Sequence, residues 1–214
     1  MLSGDAHLGN GNNKVKYFYE EVSPFAGFAE DDAEGFNELN NLLPAGRRIL
    51  FATRKMLKEF PGWQLTREIK GLQFVFTGTN IATGNSPELI PLESKHVEEM
   101  TALARLTKPG PFDKRTIDFG NYYGIFDNHK LVAMTGQRLH VENYTEISAV
   151  CTHPDHLGKG YAAALTRHQL NLICSNGKIP FLHVRDDNER AIALYLRLGF
   201  SENGPMNFYF LKRS

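Results

Sequence analysis

The stretch Glu146-Ile147-Ser148-Ala149-Val150-Cys151-Thr152-His153-Pro154-Asp155-His156-Leu157-Gly158-Lys159-Gly160-Tyr161-Ala162 runs from an apolar strand through a glycine loop into a helix. Ile147, Ala149 and Val150 give the strand its apolar, β-branched character, and Pro154 breaks it. Beyond Gly158-Lys159-Gly160, the positions Ala162, Leu165, Leu172 and Ile173 recur at helical spacing. Glycines at such a junction reach positive φ and let a ligand approach the backbone. The first amides of the helix have no partner within it, and the helix dipole adds about half a positive charge there. A phosphate fits that seat. The frame G-x-x-x-x-G-K-[ST] is absent, because Lys159 lies between the two glycines, and G-x-G-x-x-G is absent too. Glycine is also ordinary in tight connections, so the seat needs support from elsewhere in the chain.

That support comes from Asn188-Glu189-Arg190-Ala191-Ile192-Ala193-Leu194-Tyr195-Leu196-Arg197-Leu198-Gly199-Phe200, which follows the apolar strand Pro180-Phe181-Leu182-His183-Val184. Asn188 is a good N-cap and Gly199 a good residue just past a helix end. Between them Ala191, Leu194, Tyr195 and Leu198 share one helical face. Such a stripe can be core alone, with Tyr195 at its edge.

Together the two segments resemble the GNAT superfamily of acetyl-CoA-dependent N-acetyltransferases. The family's cofactor loop, Q/R-x-x-G-x-G/A, is met here by Gly160 and Ala162 of Leu157-Gly158-Lys159-Gly160-Tyr161-Ala162, whereas Leu157 departs from the expected Arg or Gln. The later signature, N-x-x-A-x-x-x-Y followed by x-x-x-G-F, is met in full by Asn188, Ala191, Tyr195, Gly199 and Phe200. The likeness covers about residues 87 to 214, closest to members with a V-C-T-H-P loop entry, as in Val150 to Pro154.

The resemblance implies an α/β (α+β) fold, a mixed, mainly antiparallel sheet flanked by helices. It further implies that acetyl-CoA is the co-substrate, its pantetheine arm along Val150, Cys151 and Thr152 and its pyrophosphate on the amides of Gly158, Lys159, Gly160, Tyr161 and Ala162. Leu157 can only pack where Arg or Gln would bond, and Lys159 is the nearest compensating charge. Asn188, Ala191 and Tyr195 line the same side.

A thioester is already activated, so an enzyme using one has to align a neutral amine, stabilise the oxyanion and reprotonate the thiolate. No covalent enzyme intermediate is needed. Tyr195 is the candidate acid, since a phenol matches a thiol in basicity, and an amide of Val150 or Cys151 is the candidate oxyanion donor. Glu146 resembles in its offset from Leu157 the glutamate that some members use as a base through water. His183 is a second candidate, and water alone a third. The expected reaction moves an acetyl group onto a primary amine of a small molecule or peptide; a non-catalytic acyl-CoA-binding module is the alternative.

Composition agrees. Lys plus Arg and Asp plus Glu both number 24, and neither half of the chain is polarised, which argues against a nucleic-acid or membrane partner. The start Met1-Leu2-Ser3-Gly4-Asp5 has no signal-like apolar region, and no stretch is long and apolar enough for a membrane span, so a cytoplasmic protein is expected. The two cysteines, Cys151 and Cys174, form neither C-x-x-C nor a Cys/His group, and His153 and His156 lack a third ligand nearby, so no metal is expected.

Ahead of the matched region the pattern predicts strands at 15–19, 49–52 and 72–76 and a helix after Asp31-Asp32, with the acidic run Glu30 to Glu34 serving its N-terminus. The polar, glycine-bearing run 77–87 then marks a boundary between a smaller α/β domain, 1–86, and the main domain, 87–214. The first is read as a degenerate GNAT-like half that lids the acceptor cleft or makes a homodimer contact. In the second, a strand at 89–92 and a helix capped by Ser94 precede strands at 122–126, 130–139 and 144–151, giving the order β-α-α-β-β-β-α-β-α-β that the family is known for.

Overall fold

The structure, a computed structural model, describes residues 4–28, 32–78 and 87–214. The strands of the first part are β1 (Gly9–Gly11), β2 (Val15–Phe18), β3 (Phe25–Phe28), β4 (Arg48–Thr53) and β5 (Trp63–Phe76). Those of the second are β6 (Ile90–Pro91), β7 (Tyr123–Asp127), β8 (Lys130–Val141), β9 (Tyr144–Thr152), β10 (Ile179–Arg185) and β11 (Phe200–Arg213). The helices are α1 (Asp32–Leu42), α2 (Val97–Thr107), α3 (Tyr161–Ser175) and α4 (Glu189–Arg197).

All eleven strands form one sheet in the order β1-β2-β3-β4-β11-β5-β10-β9-β8-β7-β6. The pairing is mainly antiparallel, with β3–β4 and β9–β10 parallel. This is the mixed, mainly antiparallel sheet expected. The boundary expected at residue 86 divides the chain between β5 and β6 but does not divide the sheet, because β5 lies between β10 and β11 and pairs with both. Part of the run that suggested that boundary, and part of the acidic run ahead of α1, fall on 79–86 and 29–31, outside the described residues.

Read outward from the β5–β11 contact, the two wings of the sheet repeat one plan. Each begins with the long strand of the other half, then has a parallel pair joined through a helix, β4 and β3 through α1 and β10 and β9 through α3, and then antiparallel strands. A parallel pair needs such a crossover, since a tight turn can join only antiparallel neighbours.

Apolar side chains sort to two faces because successive strand residues point in opposite directions. Against α2 lie Met134, Cys151 and Phe181, packed on Met100, Leu103 and Ala104. On the opposite face Phe36 and Leu39 of α1, with Leu43 just past its end, cover Ile49, Phe51, Tyr209 and Leu211, while α3 and α4 cover Phe74, Ile147, Leu182 and Val184. Strand β8 is covered on both faces and is buried from Leu131 to Leu139. No helix among the described residues is long and apolar enough to cross a membrane.

Ser94 opens a short 3-10 turn, Ser94–His96, rather than capping α2. That turn is capped by Glu93, whose side chain accepts from the His96 amide while its own amide donates to His96 Nδ1 at 2.9 Å, and α2 itself starts from His96 without a side-chain cap. Ser94 has a neighbour better suited to the task, because a carboxylate reaches further and brings charge to the helix start.

Candidate active site

Strands β9 and β10 pair only at Ile179↔Tyr144, Pro180↔Thr145 and Phe181↔Glu146. Beyond that point β10 continues against β5 through Arg185, while β9 stays with β8 through Thr152. The two strands splay, and a gap opens between them. A bulge sharpens it: β8 places one residue and β9 two between the pairs Met134↔Cys151 and Gly136↔Ser148, with Ala149 at φ 53°. A bulge of this kind bends its strand and turns backbone groups out of the ladder.

A cleft of ≈ 360 Å³ occupies the gap. Val150, Cys151 and Thr152 of β9 line it, with Leu157, Gly158, Gly160, Tyr161 and Ala162 on one side and, on the other, Asn188 at the N-cap of α4 and Ala191 and Tyr195 within that helix. Of the residues expected to meet acetyl-CoA, Lys159 alone is not in the lining. Its ammonium lies 4.0 Å from Asp127 Oδ2 and 5.9 Å from the Tyr161 ring.

Gly158 and Gly160 hold φ +82° and +80°, and open space lies where a Cβ would project. Left-handed backbone costs a side-chain-bearing residue roughly 1–2 kcal/mol, so glycine keeps the loop both turned and bare. The first helical amide bonded to its own backbone is that of Ala164, which donates to the Gly160 carbonyl at 3.0 Å. Among the described residues, no backbone carbonyl takes the amides from Gly158 to Ala163. Two further polar atoms in the cleft wall, Thr152 Oγ1 and His156 Nδ1, are buried without a hydrogen-bond partner. A buried polar atom left unpaired costs free energy, and a polar ligand in the cleft would relieve it. The residues present therefore fit acetyl-CoA: free amides for its pyrophosphate, a splayed strand edge for its amide-bearing arm, and unpaired side-chain atoms between.

Of the lining residues that the sequence reading did not assign to the site, three are polar: His156, Arg190 and Arg197. His156 is held by Asp127, which accepts from its Nε2 at 3.0 Å, and this aims Nδ1 into the cleft. Arg190 and Arg197 reach the cleft from α4, in place of the cation that Leu157 does not supply. Their i, i+7 spacing, together with that of Asn188 and Tyr195, is the signal that could have found them.

Asn188 accepts from the Ala191 amide at 3.1 Å and so starts α4 where it does. The helix presents Tyr195, 6 % exposed, between Phe74 and Phe200 at centroid distances of 6.5 and 5.8 Å. Burial pushes its phenol above the ordinary value, so Tyr195 is protonated at neutral pH. Burial also lifts the Cys151 thiol to about 11, against hydrogen bonds with Thr107 and Met134 that pull it down. At neutral pH it is a thiol and a poor nucleophile.

Glu146 is buried, at 0 % exposure. It accepts from Arg138 Nε at 2.7 Å and from Arg138 Nη2 at 2.8 Å, and it lies 2.8 Å from His183 Nδ1. Burial alone would raise its pKa, but the Arg138 charge and the bonds from Arg138 and His183 outweigh that and hold it at about 2. A carboxylate so committed does not take up a proton near neutrality. His183 completes the row, its Nε2 3.1 Å from Gln73 Nε2. Because Nδ1 faces a carboxylate and Nε2 faces an amide N–H, the neutral ring carries its proton on Nδ1 and leaves Nε2 as an acceptor. Among the described residues, no three His, Cys, Asp or Glu side chains gather as a metal site would require.

The family of FR47-like proteins matches residues 122–210. Over its full length the chain is 31 % identical to an acetyltransferase assigned to the GNAT family from Novosphingobium aromaticivorans, covering 95 % of that chain with a TM-score of 0.90. The fold recurs in a GCN5-related N-acetyltransferase from Kribbella flavida, at 14 % identity, 96 % of this chain, 89 % of that one and a TM-score of 0.61. It recurs as well in the ribosomal-protein-S18-alanine N-acetyltransferase of Escherichia coli, at 20 % identity, 59 % of this chain, 94 % of that one and a TM-score of 0.50. No curated protein matches the sequence. With 31 % identity over its full length to an acetyltransferase of the GNAT family, this chain belongs to the GNAT family of acetyltransferases.

Proposed function

We propose that the protein transfers an acetyl group from acetyl-CoA to a primary amine by direct attack within a ternary complex. The observation that carries this is the β9–β10 gap with the free amides of Gly158 to Ala163 at its mouth. Acetyl-CoA supplies an activated carbonyl and a thiol leaving group; the residues of the chain supply position and proton transfer.

The amides of the loop and of the first turn of α3 hold the pyrophosphate, aided by Arg190 and Arg197. The strand edge at Val150 and Cys151 presents an amide to the carbonyl oxygen as negative charge develops there. His183 Nε2 exchanges its contact with the Gln73 N–H for one proton from the ammonium form of the acceptor, with Glu146 fixing its ring and Arg138 fixing Glu146. Glu146 thus acts through His183 and is not itself the base. The amine nitrogen then attacks, the C–N bond forming as the C–S bond breaks and its electron pair leaves on sulfur. Tyr195 gives that sulfur a proton, and the second proton shed by the nitrogen restores the phenol by way of solvent. Cys151, a thiol at neutral pH, takes no acyl group.

Replacing Tyr195 by phenylalanine and measuring CoA release and acetyl-CoA affinity separately tests this reading. Turnover falls while affinity stays within about threefold, since general acid catalysis contributes roughly 10²–10⁴-fold. Equal turnover would remove Tyr195 from the reaction.

A further inference from the structure

The sheet contains a second gap, and its position mirrors the first. Strands β3 and β4 pair only at Phe25↔Leu50 and Ala26↔Phe51. Gly27 then stays with β2, whereas Ala52 and Thr53 follow β11. A cavity of ≈ 510 Å³ fills this opening and runs inward to His183 and Gln73 at the centre of the sheet. His183 stands two residues past the last β9–β10 pair, on the strand that edges the first gap, although it lines the second cavity and not the first.

The chemistry of the cavity differs from that of the acetyl-CoA cleft. Its walls are apolar, with Phe25, Phe28, Phe51 and Phe181 among them. Lys14, Lys16 and Lys55 line it, with no acidic side chain among the described lining residues. Lys14 is paired with Glu34 outside the cavity. At the inner end sits His183, whose Nε2 accepts from the Gln73 side-chain N–H at 3.1 Å and whose Nδ1 is backed by the carboxylate of Glu146, so an incoming amine takes the place of the Gln73 contact. A second acyl-CoA does not suit this gap. The sequence leading into α1 is Ala29-Glu30-Asp31-Asp32, which has no glycine and repels a diphosphate.

We infer that the second gap is the acceptor entrance, and that it takes a small apolar or aromatic amino acid, its amine against His183 and its carboxylate toward the lysines. This rests on the reading of the first gap as the acetyl-CoA cleft and of His183 as the base. A ligand with ammonium and carboxylate ends matches a cavity that is proton-accepting at one end and cationic toward the other. The apolar walls between take its side chain, and the volume lies in the range of small-molecule sites. Residues 1–78 thereby gain a role: they build half of the acceptor site, supplying the three lysines and Phe25, Phe28 and Phe51.

The test is calorimetric titration of the full chain, with and without saturating CoA, using leucine, methionine and phenylalanine, each beside its decarboxylated amine. At least one amino acid binds about tenfold or more tighter than its amine, the size expected of a hydrogen-bonded charge contact. Lys16→Gln removes most of that difference, and Thr53→Trp, which fills the gap, abolishes binding of both forms without changing acetyl-CoA affinity. Should Thr53→Trp fail to fold, which loss of acetyl-CoA binding would reveal, Lys16→Gln decides alone. The inference is overturned if no amino acid binds, if the amines bind as tightly, or if Lys16→Gln leaves the difference intact. Failure of the first-gap reading looks different: acetyl-CoA does not bind while the amino acid still does.

Discussion

Glu146 illustrates how a neighbour decides what a residue can do. A glutamate at the start of a strand is an ordinary candidate base, but its partner, Arg138, comes from β8 and becomes visible only once the register Arg138↔Glu146 is known. The pair is buried on both sides, and removing one member leaves an uncompensated charge. Glu146→Gln is therefore expected to cost about 3–5 kcal/mol of stability, measured by urea unfolding, and replacing both residues by apolar ones of similar size should recover much of that loss. The same pair sets a pH dependence. Because the folded carboxylate titrates at about 2, below its ordinary 4.5, its contribution is complete above about pH 4.5 and is lost as the pH falls from there toward 2. Urea midpoints measured across that window should drop for the native chain and drop less for Glu146→Gln; parallel profiles would mean that the carboxylate is not stabilised in the fold.

At the scale of elements, the glycine loop and α4 together make the cleft. Gly160→Val meets no protein atom within 4 Å, yet it must hold φ +80°. The expected cost is roughly 1–2 kcal/mol in stability, together with a loss of acetyl-CoA affinity, because the new side chain occupies the seat itself. Stability unchanged within error would show that the loop relaxes freely. Arg190→Ala and Arg197→Ala should each weaken acetyl-CoA about twofold to fivefold, more at low salt, as exposed charge contacts do. Affinity independent of salt would remove both from pyrophosphate binding. Much of this scale was legible in the sequence. Asn188 and Gly199 bracket α4 because capping is local chemistry, and Gly158 and Gly160 mark the loop because the required φ disfavours other residues. The misses are physical too. Strand β3, Phe25–Phe28, is four residues with a glycine inside, too short to show alternation, and the first half of β5 is largely exposed and charged, so it carries no apolar pattern to read.

At the scale of the molecule, the halves interlock. Each wing of the sheet borrows its innermost long strand from the other half, β11 beside β4 and β5 beside β10. No local pattern announces an exchange between strands so far apart in sequence, which is why a division at residue 86 looked natural and the shared sheet did not. In the first wing Phe28 stacks on Phe51 at 4.5 Å and Phe36 meets both, so aromatic side chains pack beside the gap whose counterpart in the second wing is bordered by a glycine loop. Residues 87–214 alone would leave β10 and β11 without the strand between them. That fragment is expected to lack a cooperative thermal transition, whereas fragments 1–78 and 79–214 expressed together should restore one. Independent folding of 87–214 would contradict the interlock.

The functional expectations depend on acetyl-CoA lying in the β9–β10 gap with its pyrophosphate on the amides from Gly158 to Ala163. Calorimetric titration of the intact protein with acetyl-CoA measures this most directly. The account predicts a single site with a dissociation constant on the order of micromolar to a few hundred micromolar, within the range typical of enzyme substrates, and weaker binding for Gly160→Val. No heat of binding at millimolar acetyl-CoA, or the same affinity in Gly160→Val, would contradict it.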